Sequence, residues 1–276
     1  MQMDFKKIFL PCFTCVCAMA LFSSTSFAAE IVAHRGASHD APENTLSSFK
    51  LGYQQNADAD ELDIHLTKDG KIVVIHDYDT ARVAGVKKKV VDQTFDEIRA
   101  LDLGKWGEWK DKGFTEKIPT LDEVLALIPN GKKLFIEIKC HEEILPALAK
   151  SLKQAGKKPQ QTPIITFHYE VAKAAKAKLP KVPVYWLVGW GKDKVTGEFP
   201  KIDELIAKAK AAKVDGLDLN SGFPIDQAFV AKVKAAGLGL YTWTVDDAAV
   251  AKKEIEAGVD GITTNRPEWL RAELSK

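Results

Sequence analysis

Short apolar runs recur between residues 31 and 264, and stretches with helical spacing separate most of them. The runs are Ile31–Ala33, Leu62–Leu66, Ile72–Ile75, Leu134–Ile138, Ile164–Phe167, Val184–Val188, Gly216–Leu219, Leu240–Val245 and Gly261–Thr264. The helical stretches are Thr45–Gln54, Leu121–Leu127, Ile144–Gln154, Val171–Leu179, Ile202–Lys213, Asp226–Ala236 and Asp247–Ala257. Alternation of this kind predicts a parallel sheet with helices outside it. An internal echo agrees: Val214-Asp215-Gly216-Leu217-Asp218-Leu219-Asn220 resembles Val259-Asp260-Gly261-Ile262-Thr263-Thr264-Asn265, each opening a strand after a helix.

Nine runs are one too many for an eight-fold barrel, and turn chemistry removes the surplus. Lys68-Asp69-Gly70-Lys71 is a tight-turn signal. So short a turn joins only antiparallel strands, because a parallel crossover needs a dozen residues or more. Ile72–Ile75 is therefore the return arm of a hairpin. The prediction is an α/β fold, a (β/α)8 barrel, with a small insertion at about 78–119 after a hairpin that follows strand two. With Asp69-Gly70 at the centre of the turn, Lys68 faces Lys71 and Asp63 faces His76. Trp106, Trp109 and Phe114 are expected to form the insertion's own small core.

Residues 29–276 suffice for such a barrel, which takes about 250 residues. Residues 1–28 read differently. Lys6 and Lys7 precede an apolar run, Ile8–Phe22, and Ser26-Phe27-Ala28 resembles a cleavage site, so this is expected to be a secretory signal peptide. The run is shorter than the roughly 20 residues of a spanning helix, so no stable membrane anchor is expected after cleavage. Export to the periplasm, or to the outside, follows. Cys12, Cys15 and Cys17 lie in this segment, leaving Cys140 alone and no internal disulfide. Without Asp4, Lys6 and Lys7 the acidic and basic side chains balance, which points away from nucleic acid or an anionic membrane as partner.

Four polar strings sit at the ends of apolar runs: His34-Arg35-Gly36, Glu61-Leu62-Asp63, His76-Asp77 and Glu137-Ile138-Lys139. In an eight-fold barrel, reactive groups project from the C-terminal strand ends. Glu61 and Asp63 are two apart, as are Glu137 and Lys139, so each pair shares a face. Singly, each carboxylate reads as an ion-pair partner of Arg35 or Lys139. Together, Glu61, Asp63 and Glu137 form an all-oxygen set suited to one divalent cation, Ca²⁺ or Mg²⁺, rather than Zn²⁺. His34 and His76 border this set and can divide general-acid and general-base work on a phosphodiester. The other histidines are expected to be bland, His65 packed or exposed on the hairpin arm and His39, His141 and His168 at the surface. Walker-type, Gly-x-Ser-x-Gly and Cys-x-x-Cys motifs are missing from residues 29–276, and a two-carboxylate glycosidase scheme would leave the histidines idle.

At these residues the chain resembles the glycerophosphodiester phosphodiesterase family. The strings include Pro42-Glu43-Asn44-Thr45, Glu61 to Gly70, Val73 to Asp77, Ile118 to Leu125, Glu137-Ile138-Lys139, Tyr241 to Val245 and Asp260 to Pro267. The resemblance implies hydrolysis of a small-molecule glycerophosphodiester to glycerol 3-phosphate and an alcohol. It implies metal ligation by Glu61, Asp63 and Glu137, acid–base work by His34 and His76, and phosphate binding by Arg35 and Lys139. Glu43 would support the site and Trp243 would wall the substrate pocket. The chain departs from the family pattern at Asp60, where an apolar residue is usual, at Ala81-Arg82-Val83, and at Asp246, where Asn commonly follows Trp-Thr-Val. A lysophospholipase D-like enzyme on the same barrel and a non-catalytic phosphodiester-binding protein are the alternatives.

Overall fold

The computed structural model describes residues 29–276; the expected signal peptide lies outside the described residues. Strands β1 (Glu30–Ala33), β2 (Ala59–Leu66), β3 (Ile72–Val74), β4 (Asp79–Thr80), β5 (Val86–Lys89), β6 (Lys133–Ile138), β7 (Ile164–Thr166), β8 (Val184–Val188), β9 (Gly216–Asn220), β10 (Gly239–Trp243) and β11 (Gly261–Thr264) follow in chain order. Eight of them are parallel neighbours in the order β1, β11, β10, β9, β8, β7, β6, β2, and a β1–β2 pairing closes the ring. The strand-to-helix alternation therefore produces the expected barrel. One helix was not expected: Pro267–Leu274 follows β11, with Pro267 in its first turn.

Side-chain parity divides the core in two. Leu62, Ile64, Leu134, Ile136, Leu217 and Leu240 face outward into the layer beneath the helices. Val32, Ala59, Phe135, Ile165, Leu187 and Tyr241 fill the barrel interior. Tyr185 and Tyr241 need room at its N-terminal end. Gly216 and Gly261 supply it, since a Cβ at either would come within 2.6 Å of a tyrosine ring. The opposite end is lined by polar residues.

β2 changes partner midway. Its first residues pair with β1, its last three pair antiparallel with β3, and β6 runs along its other side. The hairpin exists as expected, but its register differs by one residue. Leu66 pairs with Ile72, His65 with Val73 and Ile64 with Val74, so Asp63 faces Ile75 rather than His76. The Ile75 amide donates to the Asp63 carbonyl at 3.0 Å. The cause is a three-residue loop, Lys68-Asp69-Gly70. Thr67 closes it, accepting the Gly70 amide at 3.0 Å and, on its hydroxyl, the Lys71 amide at 2.9 Å. Gly70 sits at φ 76°, a conformation that glycine adopts without strain.

The chain leaves the wall at Val74 and returns at Pro119, where the Val74 amide donates to the Pro119 carbonyl at 2.9 Å. The intervening insertion has an aliphatic core of Val73, Ile75, Val90, Ile98, Leu103 and Ile118. Its aromatics are not that core. Trp106 is 46% exposed, and Trp109 meets Phe114 edge to face, with ring centroids 5.3 Å apart.

Candidate active site

The four strings converge on the C-terminal mouth of the barrel. His34, Arg35, Glu61, His76, Glu137, Lys139 and Trp243 line one cavity of about 170 Å³, with Ile165, Phe167, Leu187, Asp218, Thr244 and Thr263 completing its wall.

β1 ends in a tight turn that aims two of these groups. Arg35 and Gly36 both have left-handed backbones, at φ 56° and 77°. A Cβ on Gly36 would meet the Ser48 carbonyl carbon at 2.4 Å, so glycine is required where the turn packs on the first helix. The turn points the Arg35 amide at Glu61 Oε2, 3.0 Å away, and brings Arg35 Nε within 3.2 Å of Asp63.

Asp63 and Glu137 are direct partners across β2 and β6, and Glu61 lies two residues before Asp63 on the same face. Oxygens from all three lie within 4.8 Å of one another. Three buried carboxylates this close cannot all remain charged without a counter-charge. Burial, then the proximity of Asp63 and Glu137, pushes Glu61 well above the usual carboxylate range. Burial and Asp63 push Glu137 up to about 8. Asp63 is the exception: burial works against its ionisation, but Arg35, Lys139 and His76 hold it down at about 2. Glu61 Oε1 and Asp63 Oδ1 have no hydrogen-bond partner although both are buried. Orphaned carboxylate oxygens on an all-oxygen cluster fit a hard divalent cation.

Two cations flank the cluster. Lys139 Nζ lies 2.8 Å from Glu137 and 3.5 Å from Asp63. Arg35 Nη1 donates to Glu43 at 3.1 Å, and Glu43 in turn accepts two hydrogen bonds from Arg82. Arg82 also grips Asp77, which accepts from His76 Nδ1 at 2.7 Å. Glu43 therefore sits behind the cavity, between Arg35 and Arg82, rather than in its lining.

Each histidine has its Nδ1 tied back, leaving Nε2 for the cavity. His34 Nδ1 meets the Asn265 side-chain oxygen at 2.7 Å. Burial and neighbouring Arg35 lower its pKa to about 4, so it is neutral at physiological pH. His76 lies beyond the end of the β3 ladder. Its carbonyl accepts instead from His65 Nε2 at 3.2 Å. His65, 4% exposed, is thus a packed support for the neighbouring segment. His39 and His141 are exposed and His168 is half-buried. Trp243 closes the far wall, donating from Nε1 to the Asp218 carbonyl and meeting Phe167 edge to face at 5.3 Å.

Residues 34–269 match the glycerophosphoryl diester phosphodiesterase family. The chain belongs to that family. This phosphodiesterase is 36% identical over 249 residues to a glycerophosphodiester phosphodiesterase of Caldanaerobacter subterraneus subsp. tengcongensis, covering 87% of this chain and 95% of that one. It is 32% identical over 251 residues to a Bacillus subtilis glycerophosphodiester phosphodiesterase, covering 86% and 83%. Among solved structures, a phosphodiesterase of Oleispira antarctica in complex with the product sn-glycerol-3-phosphate superposes with TM-score 0.79 at 28% identity, covering 91% and 98%. The Thermotoga maritima glycerophosphodiester phosphodiesterase shares the fold, with TM-score 0.70 at 24% identity over 88% and 97%. The chain is thus a phosphoric diester hydrolase acting on glycerophosphodiesters.

Several groups at the site escaped the sequence reading. Asn44 donates to Asp63 Oδ2 at 2.9 Å and accepts the Asp63 amide at 3.3 Å. Asp218 faces the cavity from β9 with Oδ1 unpartnered, and burial followed by the influence of Glu137 raises its pKa well above the ordinary range. The internal echo held a signal for it: Asp218 aligns with Thr263, and both line the cavity. Arg82, Asp246 and Asn265 act through contacts that sequence spacing does not reveal.

Proposed function

We propose that this chain hydrolyses glycerophosphodiesters to glycerol 3-phosphate and a free alcohol, with His34 as general base and His76 as general acid. The observation that carries this reading is the pair of oriented imidazoles beside three carboxylates in one cavity. The product bound to the Oleispira antarctica relative supports the product assignment.

The two imidazoles have different partners, and that divides the roles. His34 leans on a neutral amide and is held neutral, so its Nε2 accepts a proton from the water whose oxygen bonds to phosphorus. His76 Nδ1 donates to the Asp77 carboxylate, which fixes the ring and leaves Nε2 for the leaving oxygen. As the phosphorus–oxygen bond to the alcohol breaks, His76 Nε2 delivers its proton to the leaving oxygen. Arg35 and Lys139 hold the non-bridging phosphate oxygens. Glu61, Asp63 and Glu137 would hold one Ca²⁺ or Mg²⁺, which when bound supplies positive charge to the phosphoryl centre. Trp243 and Phe167 wall the organic part of the substrate, and Glu43 keeps Arg35 in place.

His34→Ala tests the acid–base reading. Turnover should fall roughly 10²- to 10⁴-fold while the melting temperature barely moves. Hydrolysis at the wild-type rate would refute it. Glycerophosphocholine assayed beside lysophosphatidylcholine tests the substrate class, and activity confined to the lipid would favour the lysophospholipase D-like alternative.

Export belongs to the same proposal. Lys6, Lys7, the apolar run and Ser26-Phe27-Ala28 support cleavage after Ala28. No helix among the described residues is long and apolar enough to cross a membrane. Mass measurement of protein from the periplasmic fraction would check it, a mature chain beginning at Ala29 being the expected result.

A further inference from the structure

Asp246, where the chain departs from the family pattern, lies at the barrel mouth and makes three hydrogen bonds. Its Oδ1 accepts from the Thr264 hydroxyl at 2.7 Å and from the Asn265 amide nitrogen at 2.8 Å. Its Oδ2 accepts from the Asn265 side-chain nitrogen. On the other side of that amide, Asn265 Oδ1 meets His34 Nδ1 at 2.7 Å and the Ser38 hydroxyl at 2.9 Å.

We propose that Asp246 is a positioning residue for His34, selecting its base tautomer through the Asn265 amide. The proposal rests on His34 being the general base. The chemistry of each group forces the next. A carboxylate only accepts, so the Asn265 atom facing Asp246 is the NH₂ group. The oxygen of the same amide must then face His34. An amide oxygen also only accepts, so the His34 nitrogen beside it carries a proton. The lone pair is left on Nε2, the nitrogen directed to the cavity. Turned the other way, the amide would present NH₂ to His34, draw the lone pair to Nδ1 and place the proton on Nε2. The base would then be blocked without any change in its position.

Asp246→Asn isolates this effect. The new side-chain oxygen still accepts from Thr264 and from the Asn265 backbone, so the local fold keeps both of those bonds. Only the obligation at the second oxygen is lost, and Asp246 is solvent-exposed, so the core is untouched. In ¹⁵N-histidine NMR, with the His34 signals identified by their loss in His34→Ala, the wild type should carry its proton on Nδ1. D246N should shift population to the Nε2-protonated form. Its kcat should fall about tenfold or more, with KM within about twofold. Asn265→Ala removes the link while leaving Asp246 in place and should lose kcat similarly. The double exchange Asp246→Asn with Asn265→Asp puts a carboxylate directly on Nδ1 and should restore both the tautomer and most of the turnover.

Wild-type tautomer in D246N, or full kcat in D246N while His34→Ala is inactive, would overturn the proposal. Failure of the double exchange to recover beyond D246N would do the same. If His34→Ala itself turns over normally, the base assignment falls, and the tautomer measurement alone then decides whether Asp246 orients the ring.

Discussion

Replacing Asp60 by Asn should raise the melting temperature at neutral pH and leave it nearly unchanged near pH 4. Asp60 points outward from β2 into the apolar layer beneath the helix Leu46–Gln54, in company with Leu62 and Ile64. It is fully excluded from solvent, and neither carboxylate oxygen has a hydrogen-bond partner. One oxygen presses on Gly52, where a Cβ would lie 2.1 Å from it. Burial raises its pKa well above 3.8, and Lys132 offsets this only in part. The folded chain therefore keeps a proton that the unfolded chain releases. The group's contribution is intact below pH 3.8 and is lost as the pH rises toward the elevated folded-state value. The loss runs at up to about 1.4 kcal/mol per pH unit. For a chain of this size that is about 3–6 °C per pH unit, taking roughly 2–4 °C per kcal/mol. Asparagine copies the shape of the neutral acid and cannot ionise, so the gap between variant and wild type should open with pH. Leucine is a less clean probe because its methyl groups would crowd Gly52. Thermal denaturation of both proteins at pH 4, 5, 6 and 7 reads the effect. An equal difference at every pH, or a variant less stable than wild type at pH 7, would refute the reasoning.

Chelation should abolish hydrolysis, and Ca²⁺ or Mg²⁺ should restore it; a chelator-indifferent enzyme would return Glu61, Asp63 and Glu137 to simple ion pairing. Added metal at a hundred times its Kd should stabilise the apo-protein by about 2.7 kcal/mol, visible as a rise in melting temperature. Because burial and neighbouring carboxylates push Glu61 well above the usual range and Glu137 up to about 8, both must release a proton to bind a cation. Metal affinity measured by calorimetry should thus weaken as the pH falls below about 8, by up to about tenfold per unit for each proton released. Asp77→Asn should lower kcat about tenfold or more with little change in melting temperature, since it removes the charge behind His76.

The barrel was legible because each strand carries its own signature of length, apolarity and flanking turn. The metal-ligand candidates were legible because strand parity places Glu61 on the face of Asp63, and because their string and Glu137-Ile138-Lys139 each sit at one end of an apolar run. The hairpin register was not, because a Thr67 side chain, rather than backbone turn type alone, closes the loop. The helix Pro267–Leu274 is short and begins at a proline, which reads as a stop as readily as a start. Arg82, Asn265 and Asp246 were opaque for another reason. Their roles lie in contacts between distant segments, His34 and Asn265 being 231 positions apart. The insertion's aromatics misled because aliphatic residues, less conspicuous in sequence, form its core.

The hydrogen bond between Val74 and Pro119 has a consequence for how such enzymes can be rebuilt. Everything between these residues leaves and rejoins the barrel wall at one point. It is a cassette, and it carries His76, Asp77 and Arg82, whereas His34 and the three carboxylates stay with the barrel. If His76 is the proton donor as proposed, exchanging the cassette between related barrels would bring in a different donor and a different rim for the departing alcohol, while Glu61, Asp63 and Glu137 stayed in place. On the proposed roles the chemistry is thus divided between barrel and cassette, which meet where Arg82 grips Glu43, and leaving-group preference can drift while the three carboxylates stay the same.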